Sequence, residues 1–470
     1  MKYDAIVIGA GMSGLAAALR LAQHDQRVVV LERHELWGGL NSFYTLGGRR
    51  FDVGLHALTN FAPKGKKGQP LTRLLRWLDI RHEELRLGEQ EHSEILFPGA
   101  RLEFTNDFAH LVSEVERLFP GERDGFARLT RWVQDHVVYD EHPAPSARAL
   151  LREHIDEPLL VEMLLLPALY YGSATEDDVD VRTFAILFRA LFLEGLARPE
   201  GGIRTLLNLL VKRLKRAGAE LRMKAGVKRI LLRGDSGRET AVGVELESGE
   251  ELEAPVILSS AGWVETRRLA GHEVPREEEG RISFVESLWV LDRAPAELGH
   301  RAATSFFSNE ERAWYRRPAE LVDVKSGVVS SPNNFRASEP LSEGLLRISV
   351  LANHERWKLL SGEGYQAAKE AAAARAAAAV KLHLPDWSEH VVFQDVFTPA
   401  TIERFTSHAG GAVYGSPTKH LDGETGIPGL YLIGSDQGYL GIIGAMISGV
   451  AMANRHVLHR FARDAEAASA

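Results

Sequence analysis

Six residues near the start of the chain, Gly9-Ala10-Gly11-Met12-Ser13-Gly14, have the types and spacing to hold a pyrophosphate. Each glycine has its own task. Gly9 allows a tight turn, Gly11 lets the backbone approach the phosphates, and Gly14 permits a helix to pack closely on a strand. Glu32 lies 18 residues beyond Gly14, where a carboxylate can accept both hydroxyls of an adenosine ribose. Ser13 in the turn and Arg33 beside Glu32 belong to the same candidate set. The chemistry served is that of a bound dinucleotide, and NAD and FAD suit this unit equally.

The elements that must position these residues are legible around them. Residues 3–8 read as a short buried strand with Ile6, Val7 and Ile8, residues 15–22 as an Ala/Leu helix, and residues 28–31 as a second buried strand. The helix N-terminus then offers free N–H groups and a positive dipole end to phosphate. Three glycines alone say little; strand, turn, helix, strand and acid at this spacing predict a Rossmann-type unit in an α/β protein.

The segment that follows, Trp37-Gly38-Gly39-Leu40-Asn41-Ser42, resembles the flavoprotein family that includes amine oxidases, protoporphyrinogen oxidase and phytoene desaturases. In that family a Gly-Gly pair follows the acidic residue and lies along the flavin diphosphate, which favours FAD. The family's usual Arg is here Leu40, a departure from the amine-oxidase branch. Near the other end, residues 429–433 read as a buried strand leading to Gly434-Ser435-Asp436, with a helix starting near Gly444. The resemblance implies that the Asp436 carboxylate bonds ribityl hydroxyls. It also implies that the first helical N–H groups, at Gly444, Ala445 and Met446, meet the N1/O2 side of the ring, where reduced flavin carries negative charge.

Gly-Ser-Asp is similar to the Gly-Gln-Asp of retinol saturases and carotenoid-isomerase-like proteins. Phe51-Asp52-Val53-Gly54-Leu55-His56 resembles the Phe-Asp-x-Gly-x-His of the same branch, and Thr398-Pro399 followed by Gly410-Gly411-Ala412-Val413-Tyr414-Gly415 points the same way. Likeness is close over roughly residues 3–60 and 395–455 and thin between them. It implies an adenine contact through the backbone of Val227, within strands expected at 227–232 and 241–246. It also implies a discontinuous FAD-binding domain of residues 1–75, 200–270 and 397–470. The remaining 76–199 and 271–396 form an α+β substrate domain of mixed sheet and helices. His56 is the foremost acid/base candidate, because the family's chain turns back toward the ring there, and Tyr414 is the second. A histidine that only packs or bonds backbone is the plain alternative.

Residues 159–171 and 183–196 are strongly apolar. They line a lipid tunnel, face a membrane or form buried core helices. Residues 365–384 predict an Ala-rich scaffold helix ended by Pro385. The loop Lys64-Gly65-Lys66-Lys67-Gly68 is either a solvated loop or a contact for anionic headgroups.

The whole chain of 470 residues is too long for one core, and its charge of −8, from 56 basic and 64 acidic residues, argues against a nucleic-acid partner. With no cysteine there is no disulfide, thiolate metal site or Cys-linked flavin. No metal-ligand cluster, G-x-S-x-G elbow or second G-x-G-x-x-G after a strand is present. A separate NAD(P)H domain is therefore not expected. The longest uncharged apolar run, 438–453, is shorter than the roughly 20 residues a spanning helix needs. We therefore expect a cytoplasmic protein, at most peripheral to a membrane, whose oligomeric state the sequence leaves open.

The reading is an FAD-dependent oxidoreductase that desaturates, saturates or isomerises C–C or C=C bonds of an apolar isoprenoid or polyene. An amine- or protoporphyrinogen-type oxidase is the alternative enzyme, and a non-catalytic FAD-binding scaffold the alternative of another class. The flavin should face a cavity walled by apolar side chains from 159–171 and 183–196, with His56 and Tyr414 as its polar groups.

Overall fold

The computed structural model describes residues 3–54, 56–135, 146–235 and 237–459; Leu55 of the Phe51–His56 motif lies outside them. Ala5–Ile8 is the middle strand of a five-stranded parallel sheet, ordered Leu430–Leu432, Ile257–Ser259, Ala5–Ile8, Val28–Leu31, Glu220–Arg222. Both faces of its central strands are covered, which is why they read as unbroken apolar runs. Met12–Ala22 packs on the sheet and on the helix Gly441–Ala453. Small residues make this crossing close: a Cβ on Gly449 would come within 2.1 Å of the Ser13 carbonyl oxygen.

Between two strands of this sheet the chain makes a three-stranded antiparallel excursion, Val227–Arg233, Thr240–Leu246 and Glu251–Glu253, with Ile230 opposite Val244 and Val244 opposite Leu252. It then re-enters the parallel sheet at Ile257. The sequence expectation of strands at 227–232 and 241–246 matches this to within a residue at each end.

A second sheet has seven strands in the order Val391–Phe397, Ser283–Leu291, Gly344–Ala352, Val322–Ser330, Thr304–Ser308, Ser93–Phe97, Ala100–Phe104. Alternation splits its faces. Val285, Ile348, Val350 and Val329 pack in one core with the alanines of the helix Gly362–Val380. Phe284, Glu286, Ser349 and Val328 point the other way, into a cavity. The Ala-rich helix thus ends at Val380, four residues before the expected Leu384, and turns carry the chain to Pro385.

The two apolar middle segments are core. Pro158–Gly172 is buried at nearly every position, and Val181–Phe188 continues as a π-helical stretch, Arg189–Glu194, up to Gly195 at φ +98°. Among these residues only Tyr170 and Tyr171 reach the cavity. The expected wall of 159–171 and 183–196 is therefore corrected: aromatic and aliphatic side chains of the second sheet and of distant segments supply most of it. Among the described residues one helical stretch, Gly441–Leu458, is long and apolar enough to cross a membrane by composition, but 61% of it is buried within the protein. It serves as the core partner of Met12–Ala22.

Candidate functional site

The three turn glycines are required for three separate reasons. Gly9 holds φ +92°, and a Cβ there would lie 2.4 Å from Ser260 Oγ. A Cβ on Gly14 would lie 2.1 Å from the Gly9 carbonyl oxygen and 3.3 Å from Val7, so Gly14 sits behind the wall and brings helix and strand together. Gly11 differs: a Cβ there meets nothing within 4 Å, because it would point into a cavity of about 1270 Å³. Gly11 precedes Met12–Ala22 with no side-chain cap and no acidic residue in the first turn, so the helix start presents N–H groups to that space. Ser13 lines it too.

Gly38, at φ +114°, donates its N–H to the Ala10 carbonyl at 2.8 Å and runs beside Gly11 as a short parallel bridge. A Cβ on Gly39 would lie 3.6 Å from Gly11 Cα. Gly38, Gly39 and Leu40 all line the cavity. Glu32, 7% exposed, accepts the Ala10 N–H at 2.9 Å through Oε2 and the His34 N–H at 3.0 Å through Oε1. Each oxygen keeps further lone pairs for a ribose hydroxyl. Arg33 donates to Ser407 Oγ, and Val227 closes the same end of the cavity.

At the C-terminal side, Gly434 at φ +95° presses on Ser13, 3.1 Å from its Oγ to a placed Cβ, and donates its N–H to Ser448 Oγ at 2.8 Å. Gly434 and Ser435 face the cavity. Asp436 does not, which corrects its expected bond to the ribityl chain. Its carboxylate is 2% exposed and taken up by the protein, accepting Trp263 N–H at 2.6 Å, Ser416 N–H at 2.8 Å and Lys419 Nζ at 3.2 Å. The helix begins at Gly441, not near Gly444, because Gly441 takes φ +72° and lets the chain turn early. Gly441, Ile442 and Ala445 therefore line the cavity, whereas Gly444 backs onto Tyr439 and Met446 is fully buried.

The opposite wall is the second sheet. Register aligns Val328, Ser349, Glu286 and Phe397 across four strands, and all four line the cavity. Around this row stand Tyr170, Tyr171, Phe284, Val413 and Leu440. His56 lies against the row with Nε2 2.8 Å from Glu286 Oε2, Ser349 Oγ is 3.1 Å from the same oxygen, and the buried Arg347 guanidinium pairs with Glu286 Oε1. Burial alone would push Glu286 up; the Arg347 charge and the His56 hydrogen bond outweigh it and bring the carboxyl down to about 2. Beside them Arg198 and Asp52 form a second buried pair at 2.6 Å. Tyr414 lines the cavity, but its hydroxyl donates to the Tyr170 carbonyl and burial raises its pKa, so it presents an aromatic ring and not a proton. Tyr44 donates to Asp395 at 3.1 Å, with Lys369 3.9 Å from the same carboxylate.

Glu286, Arg347 and Ser349 were not in the expected set. The signal was there: a glutamate inside Phe-Val-Glu-Ser-Leu-Trp-Val-Leu and an arginine inside Leu-Leu-Arg-Ile-Ser-Val-Leu are charges in buried-strand patterns. Their pairing needed the register.

A phosphate-ready turn and an aromatic chamber under a second sheet share one cavity, which suits a dinucleotide with an apolar ligand beside it. The chain belongs to the flavin containing amine oxidoreductase family, whose profile matches residues 12–456. It is 26% identical to the chloroplastic prolycopene isomerase of Arabidopsis thaliana, over 96% of this chain and 82% of that one. It is 24% identical to the all-trans-retinol 13,14-reductase of Danio rerio, over 97% and 86%. Among solved structures, an oxidoreductase from Methanosarcina mazei shares the fold with a TM-score of 0.66 at 18% identity, covering 96% of this chain and 99% of that one. The protein is thus a flavin-dependent oxidoreductase.

Proposed function

We propose that the flavin is FAD and that the enzyme desaturates, saturates or isomerises C–C or C=C bonds of an apolar polyene or isoprenoid. The observation that carries this is the cavity's two-ended chemistry. At one end Gly11 and the start of Met12–Ala22 leave room for a pyrophosphate, with Glu32 for the ribose and Val227 for the adenine. At the other end the wall is aromatic and aliphatic. A volume of about 1270 Å³ exceeds the roughly 300–1,000 Å³ of a single-ligand pocket, which leaves space for substrate beside a dinucleotide. Bound flavin supplies hydride exchange at N5. The chain's own residues orient the substrate against it and keep water out. Relatives named for prolycopene and retinol support the polyene class.

Of the two acid/base candidates, His56 is the one with a polar atom left for a substrate, since the Tyr414 hydroxyl is already donated. A cytoplasmic location with peripheral membrane contact belongs to the same reading. The test is acid release and chromatography of the cofactor, followed by anaerobic incubation with polyenes and with amines and analysis of the products. Release of FAD and turnover of a polyene are expected. Turnover of amines alone would replace the reading with an amine oxidase, and release of another flavin would remove FAD from it.

A further inference from the structure

The row Val328, Ser349, Glu286, Phe397 places an ionised carboxylate in a wall that is otherwise largely apolar. Glu286 itself needs nothing from a ligand. Oε1 is held by Arg347, and Oε2 accepts from His56 Nε2 at 2.8 Å and Ser349 Oγ at 3.1 Å. Because an ionised carboxylate only accepts, His56 Nε2 must carry the proton in this pair. Whenever this imidazole is neutral its proton is therefore on Nε2, and Nδ1 presents a lone pair. That nitrogen has no protein partner among the described residues, and His56 lines the cavity.

Two of the neighbouring polar groups on this wall are satisfied within the protein, while the buried Tyr171 hydroxyl has no hydrogen-bond partner among the described residues. Tyr414 donates to the Tyr170 carbonyl, and the Tyr170 hydroxyl pairs with Ser326 at 2.9 Å. A pure hydrocarbon seated against His56 would cover this acceptor without offering it a donor, an arrangement folded proteins avoid. A ligand with an O–H at that point would complete the chain from Arg347 through Glu286 and His56 to substrate.

We propose that the substrate is a polyene bearing a hydroxyl group, and that His56 Nδ1 accepts its O–H. Glu286 is then a positioning residue, which fixes the ring and its tautomer. The proposal rests on the polyene reading above and narrows it.

The experiment titrates flavin-loaded protein with retinol, retinyl methyl ether and the hydrocarbon lacking the oxygen, followed by calorimetry and by the shift in polyene absorbance. Retinol is expected to bind about ten-fold more tightly than the other two, the worth of one buried hydrogen bond. In Glu286→Gln, Arg347 holds the amide oxygen and the amide NH2 faces His56, so the ring proton moves to Nδ1. The ether, an acceptor only, should then rise to within about two-fold of retinol, a reversal that loss of packing would not produce. His56→Phe should bring all three ligands within about two-fold of one another. It also decides the matter if Glu286→Gln fails to hold flavin, because a retinol preference that survives it overturns the proposal. Equal binding of hydrocarbon and retinol by the wild type overturns the hydroxyl and leaves the polyene reading standing. Binding of none of the three overturns both.

Discussion

Gly449 and Ser13, from the last long helix and the first, meet so closely that a Cβ on Gly449 would stand 2.1 Å from the Ser13 carbonyl oxygen and 3.1 Å from the Ala17 nitrogen. Backbone cannot give way as a side-chain tip can. Gly449→Ala should therefore force the helices apart and cost about 1–3 kcal/mol in urea unfolding of the apoprotein, with a matching loss of flavin affinity. Unchanged stability would show that the crossing is looser than drawn.

Gly11→Val and Gly14→Val should separate cleanly. Gly11 has φ −73° and open space around its Cβ position, so the valine variant should fold and melt like the parent apoprotein while binding flavin at least ten-fold more weakly. Gly14→Val would drive a side chain into the Gly9 carbonyl and should fail to fold. Flavin retention by Gly11→Val, read as absorbance after gel filtration, would remove the phosphate assignment.

Glu32→Ala removes the acceptor of two backbone N–H groups, Ala10 and His34, as well as the proposed ribose contact. A loss of about 1–3 kcal/mol in apoprotein stability is expected, together with weaker flavin binding. Glu32→Gln can still accept one of the two N–H groups and should recover part of the stability. Equal stability of wild type and Glu32→Ala in chemical denaturation would contradict this.

Asp436→Ala should act on the apoprotein before it acts on cofactor. The side chain latches Trp263, Ser416 and Lys419, and its removal leaves a nearly buried ammonium without its carboxylate. About 3 kcal/mol of destabilisation is expected in urea. A variant as stable as its parent that nonetheless lost flavin would restore a direct contact with the cofactor.

Acid should expose Glu286. Its carboxyl sits at about 2 in the folded protein against an ordinary 4.5. The ion pair's contribution, on the order of 3 kcal/mol, is therefore fully present above pH 4.5 and disappears as the pH falls toward 2. Glu286→Gln should flatten that part of the stability curve, measured by thermal melting between pH 5 and pH 2.5. Parallel curves for the two proteins would refute the shift.

The contrast between Glu32 and Asp436 shows what a sequence can tell. Glu32 is positioned by contiguous elements, so spacing from Gly14 was enough to bring it to the cavity edge. Asp436 follows a strand just as predictably, but which way its carboxylate turns is decided by Trp263, Ser416 and Lys419, and no local pattern announces those partners. Glu286 and Arg347 lie 61 residues apart and meet only because two strands pair in one register. A one-residue slip of either strand would leave the two side chains on opposite faces of the sheet. The apolar stretch 158–172 was ambiguous for another reason. A helix apolar all round satisfies a core and a membrane equally, and only the neighbours decide.

The order of strands in the parallel sheet also fixes when the site comes into being. Ile257–Ser259, beside the opening strand Ala5–Ile8, needs Leu430–Leu432 to cover its far edge, and Met12–Ala22 needs Gly441–Ala453 to bury its outer side. At about 5–20 residues per second, a ribosome takes on the order of 20 to 90 seconds to get from the first of these strands to the last. Through that interval the glycine turn and its neighbouring apolar strands wait with half their partners unmade. A site that needs both of these pairings is consequently not complete until the last of these strands and the helix after it have been made.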